Sequence, residues 1–294
     1  LLIDHAMVFK TTKGGYTNDH FDLSSLGKGT EADPYKIGTA KDFMNLVMTI
    51  GTMKRSNFYV LQTADIDLKD SLLVPIGTCT PGFEGHYDGG GHVIRNVEMT
   101  YYQGNTDESL GLFNNITGTV ERLGIENCSF KADGPITRVG AIAGRLSGSG
   151  VVRNCFVKGC TVDFHNIPGV VVGALIGEQT DDSRVEACYG YQNTVIGQDD
   201  GHKHYGYIVG YINGNAKADL LFTDGPALCA DKQSGAQNIT HAEKGVADSR
   251  FTAGEVCWQL NGSKDNGTVW RQTMRADSWP LPNPDHQPVY RYTN

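Results

Sequence analysis

A pair of glycines four residues apart returns every 33 residues: Gly140 and Gly144, Gly173 and Gly177, Gly206 and Gly210. The segments around them read VGAIAG, VGALIG and YGYIVG, and GLFNNI at 111–116 stands 29 residues ahead of the first. Two other positions keep the same step: Cys155, Cys188 and Leu221, and then Val162, Val195 and Leu228. Three independent positions on one period mark a solenoid. A repeat this short cannot bury its own apolar face and must stack on its neighbours.

Each repeat carries short β-branched and aromatic runs, such as Val151-Val152, Phe156-Val157 and Thr161-Val162, separated by Gly, Ser, Asn and Asp. No run keeps a 3.6-residue period long enough for a helix, so short strands joined by turns are expected. A two-helix repeat of similar length fits poorly, because glycines beside β-branched residues weaken helices. The expected fold is all-β: a right-handed, single-stranded parallel β-helix. In it, Phe113, Ile142, Leu175 and Ile208 share one interior column, and Cys128, Cys155, Cys188 and Leu221 share another. Cysteine suits a narrow interior as a small, easily buried side chain. Stacked thiols are the expected state, with disulfides or ligation as alternatives. Seven cysteines leave at least one without an intrachain partner, and no CxxC pair suggests zinc.

An exposed solenoid end would invite edge pairing. Thr39 to Asp42 reads as a capping box opening an amphipathic helix over 39–51, with Phe43, Leu46, Val47 and Ile50 on one face. The strand Tyr35 to Ile37 precedes it. Near the other end, Thr252 to Glu255 reads as a second capping box, with a short helix through Val256, Trp258 and Leu260 that stops at Gly262. The chain thus divides into a lead-in at 1–30, the β-helix at 31–230, and a C-terminal capping region at 231–294, expected to pack on the last coils.

The formal net charge of −8 and the lack of a Lys/Arg run argue against nucleic-acid binding. No stretch reaches the roughly 18 apolar residues of a spanning helix. The chain opens on Leu1 without a visible signal peptide and reads as a processed end. No cofactor is called for, and the oligomeric state stays open.

The units GLFNNITGTVERLGIENCSF, VGAIAGRLSGSGVVRNCFVKGCTV and VGALIGEQTDDSRVEACYGYQNTV resemble the glycine-rich GLUG repeat. The lead-in segments GTEADPYKIGTAKDFMNLV, TADIDL and FEGHYDGGGHVIRNV resemble that family too, as does the tail FTAGEVCWQLNGSKDNGTVWRQT. The resemblance implies a surface or secreted protein of Bacteroides-type bacteria with adhesin-like architecture. Some members are named as relatives of immunoglobulin A protease, but no HExxH motif stands in this chain.

Candidate sites are sparse. Asp199, Asp200, His202 and His204 form the densest polar cluster and could hold a transition metal. His86 and His92 could meet a ligand or metal but read as turn and stacking residues, and Asp65 and Asp67, two apart on one strand face, could bind calcium or do acid–base work but lie in the structural lead-in TADIDL. Asp181-Asp182 lies on a turn between coils, with Gly148-Ser149 and Gly214-Asn215 in the equivalent places. Tyr101, Tyr102, Tyr189, Tyr191, Tyr205 and Tyr207 could line an outer face that recognises sugar or protein, since tyrosine gives a large contact at low entropic cost. The reading is a non-catalytic extracellular or surface binding protein whose partner is a glycan or a host protein. The alternatives are a polysaccharide lyase or glycoside hydrolase on a β-helix, and a structural spacer.

Overall fold

The computed structural model describes residues 23–53, 57–69, 71, 75–77, 82–100, 109–131, 136–164, 170–196, 205–230, 238–265 and 267–291, with the side chains of the first helix described as far as residue 47. The chain winds into a right-handed parallel β-helix of about four turns. One coil holds five short strands: Arg138–Gly140, Ala143–Leu146, Val151–Arg153, Phe156–Lys158 and Thr161–Asp163. Each pairs in parallel with its counterpart in the next coil. The described strands gather into one 12-stranded sheet and three four-stranded sheets. Val139 lies on Val172, Val152 on Val185 and Val162 on Val195, which is the repeat seen in the sequence. All six are buried. Each such side chain removed from water contributes roughly 1.5–3 kcal/mol.

Ile142, Leu175 and Ile208 stack as expected. The Ile142 N–H donates to Leu175 O at 2.9 Å and the Leu175 N–H to Ile208 O at 3.0 Å. Phe113 is buried but sits one place along, paired with Ala143 rather than Ile142. Leu110 still pairs with Val139, so the earlier coil has one residue fewer at this bend.

The cysteines form two columns, not one. Gly124 pairs with Phe156 and Ser129 with Thr161, which puts Leu123 on Cys155 and Cys128 on Cys160. Cys155, Cys188 and Leu221 do share a column. The reason is that each coil turns two similar corners close together. At both, a residue in the left-handed region precedes an inward one. Arg122, Asn154, Ala187 and Leu220, with φ of 50°, 54°, 49° and 54°, make the first corner. Asn96, Asn127, Gly159 and Gln192, with φ of 62°, 54°, 63° and 55°, make the second. Cys128 follows the second corner and Cys155 the first, so their spacing joined unlike positions.

The inward thiols knit successive coils. The Val97 N–H donates to Cys128 Sγ and the Cys128 N–H to Cys160 Sγ, both at 3.3 Å. The Cys160 N–H then donates to Asn193 Oδ1 at 2.9 Å, an amide in the thiol's place. In the other column the Cys155 N–H donates to Cys188 Sγ at 3.4 Å. Each thiol also donates to the carbonyl two residues back, as Cys155 does to Arg153 O at 3.2 Å. These corner N–H groups would otherwise be buried without acceptors. Desolvation holds the Cys155 and Cys160 thiols well above their ordinary range.

Both ends are covered. Helix α1 (Ala40–Met53) starts with a reciprocal capping box: the Asp42 N–H donates to Thr39 Oγ1 and the Thr39 N–H to Asp42 Oδ2, both at 3.1 Å. Its Phe43, Leu46 and Val47 are buried, while the Ile50 side chain lies outside the described residues. At the far end the chain leaves the helical path after Thr223. The Tyr207 N–H donates to Ala227 O, and the Ile208 and Val209 N–H groups both donate to Leu228 O. Leu228 therefore lies over Ile208 instead of continuing the Val162–Val195 column. This crossing segment meets the backbone of the last coil from Tyr207 to Gly210.

The glycine pairs mark the tightest bend. A Cβ on Gly173 would stand 1.9 Å from Ile176 O and 2.6 Å from Gly210 N, and one on Gly140 would stand 2.6 Å from Gly177 N. Space, not φ, demands glycine there. Gly173→Ala should destabilise the protein by about 1–3 kcal/mol, as overpacked interiors do, measured by denaturant unfolding. An unchanged midpoint would show that the bend can widen.

Candidate functional site

The solenoid's outer faces carry one side chain per coil at each position, so any surface site here is a column. On the strands after the main turn, one outward column runs Tyr59, His86, Thr119, Val151, Arg184 and Lys217. Beside it runs Asp88, Glu121, Arg153, Glu186 and Asp219. The second column is cross-linked by charge. Arg122 Nε donates to Asp88 Oδ1 at 2.9 Å, and Arg153 Nε donates to Glu121 Oε2 at 2.7 Å. His86 Nε2 lies 2.6 Å from Glu121 Oε1. The hydrogen bond from His86 holds the Glu121 carboxyl at about 2, with Arg153 adding to it against desolvation.

Above these strands the turns also stack. Gly148, Asp181 and Gly214 all adopt positive φ, at 60°, 61° and 67°. The Gly148 N–H donates to Asp181 Oδ2 at 2.8 Å, so Asp181 is committed to the turn stack and its carboxyl is held below the usual range by that bond. The neighbouring residues Ser149, Asp182 and Asn215 form a polar ladder, with Asn215 Nδ2 donating to Asp182 Oδ1 at 3.2 Å. Together with Asn238, Arg184 and Lys217 they line an open groove of about 580 Å³. The groove offers a hydroxyl, a carboxylate, two amides and two cations on a hydrogen-bonded scaffold. That set suits a polyhydroxylated ligand.

A second cleft of about 460 Å³ lies where the last coil meets the C-terminal helices, lined by Asp219, His241, Glu243, Gln259 and Ser263 among others. Its His241 Nδ1 and Thr240 Oγ1 are both spent on Asp219 Oδ1, at 2.7 and 2.6 Å.

The described candidate tyrosines, Tyr189, Tyr191, Tyr205 and Tyr207, do not form an open strip. Tyr101, Tyr102, Asp199, Asp200, His202 and His204 lie outside the described residues. Tyr189 and Tyr191 do point away from the lumen, but they are 0% and 3% exposed. The C-terminal unit covers them. It contains helices α2 (Asp248–Thr252) and α3 (Glu255–Leu260) and an antiparallel bridge between Arg271 and Leu281. Tyr189 stacks on Phe156 with centroids 5.1 Å apart and planes 5° apart, and Tyr191 stacks on Phe251 at 4.2 Å. Trp270 is fully buried against Tyr189, whose hydroxyl donates to Pro280 O at 2.6 Å. The unit thus clasps the flank and is not confined to the last coils: a Cβ on Gly91, in an early coil, would stand 2.4 Å from Pro282 O. Tyr205 and Tyr207 are half-buried against the main core. The expected capping box at Thr252 is also corrected. Thr252 Oγ1 donates back to Ser249 O and closes α2, while Gly254 precedes α3 without a side-chain cap.

The other sequence candidates serve the stack. Asp65 accepts from the Val93 N–H at 3.0 Å and from Arg95 at 2.5 Å, and Asp67 accepts from Asn96 at 2.9 Å. His92 lies 3.5 Å from Asp65, apart from the His86–Glu121 pair. No group of three or more metal-ligating side chains occurs among the described residues. Also among them, no helix is long and apolar enough to cross a membrane. The 33-residue step from Ser149 through Asp182 to Asn215 was visible in the sequence. Its junction with Arg184, Lys217 and Asn238 was not, because strand pairing makes it.

No family model and no curated protein matches the sequence. Among solved structures the fold is similar to a Bacteroides ovatus protein described as a "putative immunoglobulin A1 protease". That match has a TM-score of 0.55 and 18% identity, and it covers 86% of this chain and 93% of the other. At that identity the likeness is one of fold.

Trp270→Ala should loosen the clasp by about 3–5 kcal/mol. Limited proteolysis should then cut within 246–291 while the β-helix stays intact. Protection equal to the wild type would mean the aromatic seat is not what holds the unit. Glu121→Gln should cost roughly 1–2 kcal/mol, discounted for the partly exposed Arg153. Because the Glu121 pKa is depressed, its contribution is present above the unfolded carboxylate value near 4.5 and is lost as pH falls toward about 2. The difference between wild type and variant should therefore shrink across that window in acid titrations of stability.

Proposed function

We propose that this chain is a non-catalytic binding and scaffold protein of the cell surface or extracellular space that holds a glycan in the groove over its stacked turns. The observation that carries this reading is the ladder of Ser149, Asp182, Asn215 and Asn238 along one groove. Successive coils lie ~4.8 Å apart, so the ladder presents hydrogen-bonding groups at a fixed pitch to an extended polymer. Groups on stacked turns that hydrogen-bond to one another need little reordering on binding, which favours recognition of a flexible chain. Membership of the GLUG repeat group and the surface setting that this resemblance implies belong to the same proposal. The protease description is not carried over, since the chain has no HExxH.

A carbohydrate-active enzyme is the second reading, because Asp182 shares the groove with Arg184 and Lys217. Only one carboxylate lines the groove among the described residues, whereas glycoside hydrolysis commonly uses a pair. Binding is therefore the better supported of the two. A glycan array should give selective binding, and Asp182→Ala combined with Asn215→Ala should weaken it at least about tenfold, or roughly 1.4 kcal/mol. Binding retained by the double variant would place the ligand elsewhere. No binding at all would favour a spacer. New reducing ends or unsaturated products from the wild type would establish an enzyme.

A further inference from the structure

The outer face beneath the groove is charge-matched except at one place. Arg122 and Arg153 are each seated on a carboxylate, Asp88 and Glu121. Arg184 and Lys217 instead lie directly in register on adjacent parallel strands. Their backbones are ~4.8 Å apart and their side chains leave the same face. Among the described residues Arg184 pairs with Glu186 alone, at 3.6 Å, with both side chains well exposed. Lys217 has no carboxylate partner among the described residues. The one carboxylate of the groove, Asp182, takes a hydrogen bond from Asn215. Like charges opposite one another on a sheet are destabilising. In a chain of net charge −8, two in-register cations lining a groove that holds a single carboxylate are out of keeping with their surroundings.

We propose that the Arg184–Lys217 pair is an anion-reading subsite, and that the glycan bound in the groove carries negatively charged substituents. This rests on the groove reading above and narrows its ligand class. Arg184 can meet a planar carboxylate or a sulfate with paired N–H groups, and Lys217 adds a mobile point charge. Ser149, Asn215 and Asn238 then serve the neutral hydroxyls of the same chain. The anion would relieve the repulsion between the two cations, so binding gains what the free protein lacks.

The test uses the full chain with three polymers: polygalacturonate, dextran sulfate and neutral dextran. Wild-type protein should bind at least one acidic polymer at least about tenfold more tightly than dextran, with affinity falling as salt rises. The ratio of polygalacturonate to dextran sulfate tells whether carboxylate or sulfate is the group read. Arg184→Gln combined with Lys217→Gln should abolish the acidic preference and leave any dextran binding unchanged. Its thermal unfolding midpoint should stay the same or rise, which a structural role for the pair would not allow. Equal binding of acidic and neutral polymers, or an acidic preference that survives in the double variant, would overturn the anion subsite while leaving the groove reading intact. Dextran binding that falls in Asp182→Ala/Asn215→Ala but not in Arg184→Gln/Lys217→Gln is the expected division, with the turn ladder serving neutral hydroxyls and the cation pair the anion. Wild-type protein that binds none of the polymers and nothing on the array would overturn both readings.

Discussion

The structure depends on in-register parallel hydrogen bonding between coils. A coil of short strands has no partner for its backbone groups within itself. Every N–H and C=O along its edge must be met by the coil before or after. That requirement fixes the spacing between windings and forces equivalent residues into columns. It also explains the ends. Helix α1 closes one, and at the other the segment carrying Ala227 and Leu228 meets the last coil from Tyr207 to Val209.

Two local devices keep the winding in register. At the narrow bend, glycine pairs such as Gly173 and Gly177 let strands of one coil and the next approach where no Cβ fits. At the two wider corners, a residue of positive φ turns the chain and the next side chain enters the lumen. Arg122, Ala187 and Leu220 bear this conformation without glycine's freedom, at a cost the stack must offset. The thiols of Cys128, Cys160 and Cys188 accept the N–H groups that such a corner would strand. Asn193 takes the same role with an amide, which shows that the position needs an acceptor of small size and not sulfur as such.

Columns also organise the surface, and neighbouring columns serve different ends. The outward aromatic row of Phe156, Tyr189 and Phe222 belongs to a second core, with Phe251 and Trp270 packed over it. The row of Asp88, Glu121 and Arg153 is tied into ion pairs. The stacked turns leave polar side chains facing an open groove. A repeat that must be uniform inside can thus vary freely outside, and fold alone does not assign a role to any of these faces.

The sequence by itself determined the architecture, the Ile142, Leu175 and Ile208 column, the cap helix and the equivalence of Ser149, Asp182 and Asn215. Each of these follows from periodicity or from a local capping motif, and both are written along the chain. It misjoined Cys128 to Cys155 because two corners of one coil carry the same local pattern, and spacing alone does not tell them apart. It misplaced Phe113 by one residue because a deletion within a bend shifts register without changing the motif. Tertiary structure alone decided that Tyr189 and Tyr191 are covered, since outward-pointing and exposed differ only when a distant segment packs on top. The same holds for the groove: Arg184, Lys217 and Asn238 meet because coils pair side by side, and a contact made across windings has no signature within any one of them.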